Sequence, residues 1–119
     1  MNQLALDLVS DRKRTALIFF ETRPELFRAD FGEWLRKNWP IFEAFDRRAN
    51  RLWNAGVRHA GARMIGEVIR YQTTLRETDG EFKVNDWYWP DCARLWMLLY
   101  ADRKGFFETR SGVSAKRAA

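Results

Sequence analysis

The chain has 119 residues, 46% of them hydrophobic and 15% aromatic, which suffices for one domain with a packed core. Its net charge is +5, and 16 of its 21 basic residues are arginine, the side chain best suited to bidentate pairing with phosphate or carboxylate. This balance points to nucleic acid or an acidic protein surface as partner. The single cysteine excludes an internal disulfide and no apolar run approaches membrane length, so we expect a cytosolic protein that does not enter a membrane.

The first ten residues alternate in hydrophobicity. Leu4, Leu6 and Leu8 fall on one side of an extended chain, whereas a helix would distribute them over several faces. The pattern therefore predicts an extended segment over residues 1–10. That segment is either an edge strand packed on the domain or a free peptide that docks on a partner.

Residues 3–8, QLALDL, resemble the six-residue bacterial sliding-clamp-binding motif, Gln-Leu-x-Leu-x-Leu, at all four specified positions. Peptides of that family dock in an extended form, with the glutamine in a polar subsite and the later leucines in an apolar pocket. The resemblance implies that Gln3, Leu4, Leu6 and Leu8 bind the sliding clamp, the β subunit of the bacterial DNA polymerase.

Residues 11–110 are predicted to form a single, mainly helical domain, followed by a disordered basic tail at 111–119. Helical periodicity covers residues 22–56, where Pro40 begins a second helix and Gly56 ends it. It returns over residues 61–75 and 87–101, and the second of these segments carries an apolar stripe formed by Cys92, Leu95, Trp96 and Leu99.

The segment at residues 61–75 is predicted to be amphipathic, with one face in the core. Its predicted core face consists of Met64, Ile65, Val68, Ile69 and Leu75. Its predicted polar face carries Arg63, Glu67, Arg70 and Thr74.

Two copies of the pentapeptide FFETR, at residues 19–23 and 106–110, are predicted to be strands of one small sheet. The second copy and residues 82–84 are suited to pair as a minor β-hairpin. Together with the order of the helices, this hairpin indicates a winged-helix or helix-turn-helix variant. Residues 87–101 would then occupy the position of the recognition helix.

Between Arg47 and Arg76 the sequence has seven arginines and one acid, Glu67. This asymmetry predicts either a solvated helix face or a phosphate-binding surface. The predicted nucleic-acid-binding arginines of this region are Arg47, Arg48, Arg51, Arg58, Arg63 and Arg70. Around the predicted recognition helix the candidates are Lys83, Asn85, Trp87, Tyr88 and Arg94. The aromatic cluster at residues 87–89 equally suits a protein-binding hot spot.

Catalytic, metal and cofactor sites are not predicted. His59 and Cys92 are the only residues of their types, and no metal-ligand spacing surrounds them. Cys92 lies on an apolar stripe and is predicted to be a core residue. The glycines do not form a phosphate-binding loop, so we expect a protein that is not an enzyme.

Residues 30–110 resemble a group of small, uncharacterised proteins encoded by bacterial viruses and prophages. The residues that carry the resemblance are Phe31, Trp34 and those at 39–42, 61–65, 67–71, 82–85, 93–95 and 105–110. The resemblance implies a viral or prophage origin, in the cytosol of a bacterial host, and no particular activity.

The sequence thus predicts a small accessory protein that binds double-stranded DNA through its basic helical domain and tethers itself to the replication clamp. One alternative is an inhibitor that binds a host protein machine, either the clamp or a CRISPR or restriction defence complex. A second alternative is a winged-helix transcriptional regulator whose clamp motif is accidental.

Overall fold

The computed structural model describes residues 3–76 and 86–109, with side chains at 11–75 and 86–109. The helices in these ranges are α1 (Gln3–Thr22), α2 (Phe31–Lys37), α3 (Trp39–Asn54), α4 (Ala62–Arg76) and α5 (Trp89–Leu99). Three short 3₁₀ helices are also present in these ranges: Pro24–Leu26 after α1, Asp86–Tyr88 before α5 and Ala101–Arg103 after α5. The prediction of a mainly helical protein is confirmed.

Helix α5 is the centre of the fold. It packs against α1, α3 and α4, and Cys92, Leu95 and Trp96 are completely buried on it. Every residue of α5 is at least half-buried. A recognition helix reads bases mainly through its N-terminal end, where Trp87 is exposed, so DNA reading by this segment stays a prediction. The apolar stripe of α5 organises the core.

The boundaries of α3 follow the local sequence signals. Pro40 lies in the first turn, where backbone N–H groups have no intrahelical acceptor, so its missing N–H costs no hydrogen bond. At the other end Gly56 has a φ of 96°, and its N–H donates to the carbonyl of Trp53 while that of Val57 donates to Leu52. These two bonds form a Schellman cap, which favours glycine because of the left-handed backbone. Both predicted boundaries are therefore confirmed.

The predicted extended segment at the N-terminus is wrong for this chain, because residues 3–10 belong to the helix α1. Leucine, alanine and glutamine all favour helix, and this intrinsic preference outweighs the alternation of three leucines. Further along, the helix is held by buried Ala16 and by half-buried Leu17 and Phe20, which pack against the core. An extended clamp-binding peptide would have to unwind from the start of α1.

The two copies of FFETR adopt different structures, so the predicted pair of strands is wrong. Residues 19–22 of the first copy are the last residues of α1. In the second copy Phe106 and Phe107 are buried, and Phe107 forms one isolated parallel bridge with Ala60. Within the described parts of the chain there is no strand and no β-hairpin. The other half of the predicted hairpin, residues 82–84, lies outside the described residues, as do residues 110–119.

A polar cluster around buried Asp46 joins α1, α3 and the end of α5. The carboxylate of Asp46 accepts hydrogen bonds from Arg12 at 2.7 Å, Tyr100 at 2.9 Å and Asn50 at 3.0 Å. Arg103 donates to the side-chain oxygen of Asn50 and lies over the Tyr100 ring at 4.5 Å. Each of these residues thus makes at least one hydrogen bond within the cluster, which offsets its partial removal from water.

Candidate functional site on the outer face of helix α4

Helix α4 is apolar on two faces. Ile65 and Ile69 point inward and are each 3% exposed, as predicted. The outer face carries large apolar side chains that are between 44% and 67% exposed, namely Met64, Val68, Tyr71 and Leu75. We call these four residues the α4 stripe. The prediction that Met64, Val68 and Leu75 belong to the core face is therefore wrong.

The α4 stripe runs along one side of the helix. Its residues are separated by four, three and four positions, the spacing of the seam through which helices pack in coiled coils. Such residues lie within a narrow sector of the helix surface and form one continuous band. Elsewhere in the described chain the large exposed apolar residues are Ile18 on α1 and Trp87 before α5.

The orientation of α4 is fixed by a close contact with α5. A Cβ atom added to Gly66 would lie 2.2 Å from the indole of Trp89, so only glycine permits this approach. The Trp89 ring is buried and stacks on Phe45 of α3 with ring centroids 6.2 Å apart. The contact holds the Gly66 side of α4 against the core and leaves the stripe facing outward.

Polar contacts hold both flanks of α4. Arg48 of α3 donates a hydrogen bond to the side-chain oxygen of Gln72, which joins the two helices on one flank. On the other flank Arg70 pairs with Asp86, in the 3₁₀ helix before α5, and with Glu67 at 3.4 Å. The stripe is thus presented by a helix that is anchored on its inner side and on both flanks.

Arginines border the α4 stripe on both sides, and we call them the basic rim. On the α3 side Arg48 contacts Gln72 of α4. Arg51 is exposed three positions further along α3 and is therefore the neighbour of Arg48 on the helix surface. Arg63 and Arg70 lie on the other side, where Arg63 is 81% exposed and 3.9 Å from Glu67. Counted over the described side chains alone, the rim has four positive charges against the two negative charges of Glu67 and Asp86, a net charge of +2.

The other predicted nucleic-acid residues that the structure describes differ in their surroundings. The side chain of Arg94 is 10% exposed and pairs with buried Asp91 at 3.4 Å, which leaves little of it accessible to a DNA backbone. Arg58 lies 3.9 Å from the centre of the Trp53 ring and donates to the Trp53 carbonyl at 2.9 Å. Arg47 is exposed on α3.

Of the residues predicted around the start of α5, two are described. Trp87 is exposed, with the guanidinium of Arg28 lying 4.9 Å from its ring centre. Tyr88 stacks on Trp34 at 4.8 Å and donates to Asp30 at 2.9 Å, so its ring and hydroxyl both have partners within the chain. Lys83 and Asn85 lie outside the described residues.

The cysteine and the histidine do not combine into a reactive pair. Cys92 is completely buried, and that burial, together with the charge of neighbouring Asp91, raises the pKa of its thiol well above the ordinary value. His59 is exposed in the loop before α4. Among the described side chains, no group of three or more potential ligands is arranged to hold a metal ion.

Sequence reasoning missed the α4 stripe because it assigned every aliphatic residue of the helix to one core face. The available signal was the width of the apolar pattern. Around the helix axis, residues 64, 65, 68 and 69 cover a wider arc than one neighbouring helix can bury. Tyr71 and Leu75 lie only on the side of that arc that carries Met64 and Val68.

None of the helices in the described residues combines the length and hydrophobicity that a membrane span requires. The resemblance to viral and prophage proteins and the resemblance of residues 3–8 to the clamp motif both stay predictions. No protein-family model matches the sequence, and no characterised protein or solved structure shows significant similarity to it.

Proposed function

We propose that this protein is an accessory factor without catalytic activity, which acts in the bacterial cytosol by binding another protein through the outer face of α4. The observation that carries the proposal is the α4 stripe, with its four apolar side chains about half exposed. Contiguous apolar surface of this kind mostly marks a protein-binding site, because covering it removes apolar area from water.

The geometry favours a protein partner over DNA as the principal ligand. The helix predicted to read bases is buried, and Arg94 pairs with a buried carboxylate. DNA affinity arises mainly from charge neutralisation of phosphates, to which an apolar stripe contributes nothing. A winged-helix regulator is correspondingly less well supported.

The sequence motifs suggest which machines to test as partners. The clamp motif at residues 3–8 nominates the sliding clamp, and the resemblance to viral proteins nominates a CRISPR or restriction defence complex. Clamp binding through the motif would require the first turns of α1 to unwind, and helix ends open at low free-energy cost. In this scheme the N-terminus and the α4 stripe are separate contacts.

The test is an affinity purification from bacterial lysate, treated with nuclease, that compares three forms of the protein. We expect Val68→Asp combined with Leu75→Asp to lose a partner that the unmodified chain retains. Ile18→Asp is the control, since it places one aspartate on an exposed apolar residue of α1 outside the stripe.

The partner must then bind as a purified protein in a calorimetric titration, with the same dependence on Val68 and Leu75. All three forms should melt at similar temperatures, because the substituted side chains are exposed. If the double substitution leaves every interaction unchanged, the α4 stripe is not the binding face.

Binding of double-stranded DNA is a second candidate function, favoured by the exposure of Arg47, Arg51 and Arg63. If these side chains contact phosphates, affinity should fall steeply with salt, and replacing Arg47 and Arg51 by alanine should reduce the slope of log affinity against log salt by about two. Absence of DNA binding at low salt would exclude this function and leave the protein-binding proposal intact.

A further inference from the structure

The α4 stripe is shaped to receive a helix. Its spacing of four, three and four residues is that of a coiled-coil seam, in which each side chain inserts between residues of a facing helix. A partner strand would instead require unpaired backbone groups along an edge, and the described residues have only the single bridge at Phe107. The partner segment that fits the stripe is therefore an amphipathic helix.

The basic rim determines the charge of that helix. We expect a helix seated on the stripe to bring one flank towards the α3 side, which carries Arg48 and exposed Arg51, and the other flank towards Arg63. Among the described side chains the rim retains a net charge of +2 after Glu67 and Asp86 are counted. Carboxylates at the flanking positions of the partner would neutralise it, whereas lysines would be repelled.

Resting on the proposed protein-binding function, we propose that the occupant of the α4 stripe is an amphipathic helix of a different protein, apolar along its seam and acidic along both flanks. The arginines of the rim form ion pairs with the flanking carboxylates, and the stripe buries the seam.

A second copy of this chain fits the stripe less well. In a two-fold antiparallel pairing Met64 would oppose Leu75, and Val68 would oppose Tyr71, which satisfies the apolar seam. The same pairing brings two basic rims together, and each whole chain carries a net charge of +5. Repulsion between like charges therefore favours the acidic partner over the symmetric dimer.

The experiment is a selection from a displayed library of helical peptides. Each peptide has leucine at the seam positions, and its flanking positions are randomised among Glu, Lys, Gln and Ser. Selection on the unmodified protein should enrich Glu at the flanks. Synthetic peptides with Glu flanks should bind at least about tenfold more tightly than the same peptides with Lys flanks, since several modest ion pairs act together.

Charge reversal tests the role of the rim. Combining Arg51→Glu with Arg63→Glu should invert the preference, so that selection enriches Lys. The matched control combines Arg14→Glu with Arg23→Glu, two exposed positions at α1 and its end that change the net charge equally. This control should keep the preference for Glu, with affinities lowered only by the general change in charge.

The outcomes separate the two proposals. Selection that depends on Val68 and Leu75 but shows no preference for Glu overturns the acidic partner and retains the binding face. Absence of any peptide that depends on these residues overturns both proposals. A dimer in analytical ultracentrifugation at micromolar concentration, abolished by Leu75→Asp, would show that a second copy is the occupant and contradict the inference.

Discussion

The contact between Gly66 and Trp89 sets the orientation of α4, and replacing Gly66 by alanine tests it. The added methyl group would lie 2.2–2.4 Å from three atoms of the indole, whereas non-bonded carbon atoms prefer about 3.5–4.0 Å. One of the two groups must therefore move by about 1 Å or more. The Trp89 ring has little room to do so, because it is buried and stacked on Phe45.

Two opposing terms determine the sign of the effect of Gly66→Ala. Alanine stabilises a helix interior by about 1 kcal/mol relative to glycine. Overpacking a tight core typically costs about 1–3 kcal/mol, and more when the neighbour is rigid. The three short contacts place this site at the upper end of that range, so we expect a net loss of about 1–2 kcal/mol in the free energy of unfolding.

Urea denaturation followed by circular dichroism measures this loss, and a double-mutant cycle identifies its cause. In a Trp89→Leu background the indole is absent, so Gly66→Ala should no longer destabilise the chain. Its effect on the free energy of unfolding should then approach the stabilisation expected from helix propensity. Thr74→Ala, on the exposed side of the same helix, is the control for propensity alone. A Gly66→Ala chain as stable as the original would refute the close packing of α4 on α5.

Three further predictions concern pH, the polar cluster and the clamp motif. Because burial raises the pKa of the Cys92 thiol, the folded chain keeps a proton that the unfolded chain releases. This contribution to stability is complete below about pH 8, and above it the free energy of unfolding falls by up to about 1.4 kcal/mol per pH unit. Urea denaturation should therefore show a smaller fall in the free energy of unfolding with rising pH for Cys92→Ala than for the original chain. Asp46→Ala should lower the free energy of unfolding by about 2 kcal/mol, because it removes a charged acceptor of three hydrogen bonds. Asp102→Ala, at an exposed carboxylate, should change it little. If residues 3–8 bind the sliding clamp in extended form, Asp7→Pro should destabilise the first turns of α1 and so strengthen clamp binding in calorimetry, because position 7 is unspecified in the motif. Leu8→Ala should abolish clamp binding. A clamp that binds neither the original chain nor Asp7→Pro would exclude the motif.

The sequence predicted the elements whose signals are local. Pro40 and Gly56 act through their own backbone geometry, so they defined the ends of α3 without knowledge of the surroundings. The apolar periodicity of Cys92, Leu95 and Trp96 likewise identified a buried helix face. Each of these signals depends on a few neighbouring residues and on a strong physical preference.

The errors arose where local patterns are ambiguous and tertiary contacts decide. FFETR is helical at the end of α1 and irregular at Phe106 and Phe107, so its structure follows from its surroundings. The alternating leucines at the N-terminus suggested an extended chain, but their helix propensity was the stronger preference. No local pattern indicated that α5 would be covered on all sides.

The candidate site could not be predicted from composition, because composition does not show which side of α4 faces the core. Ile65 and Val68 are similar in chemistry and only three positions apart, yet one is buried and the other exposed. The glycine at position 66 was the only local indication of the inner side, because it permits the approach of a large ring. The charge of Arg94 was equally uninformative about its partner, the buried Asp91.

Site-specific photocrosslinking in bacterial cells tests the central claim most directly. A benzophenone amino acid at position 71 replaces a side chain in the middle of the α4 stripe, and the same amino acid at position 18 provides a control on α1. We predict one dominant crosslinked protein from position 71, none from position 18, and loss of the product when Val68→Asp is added. Equal crosslinking from both positions, or a product unaffected by Val68→Asp, would contradict the assignment of the outer face of α4 as the binding surface.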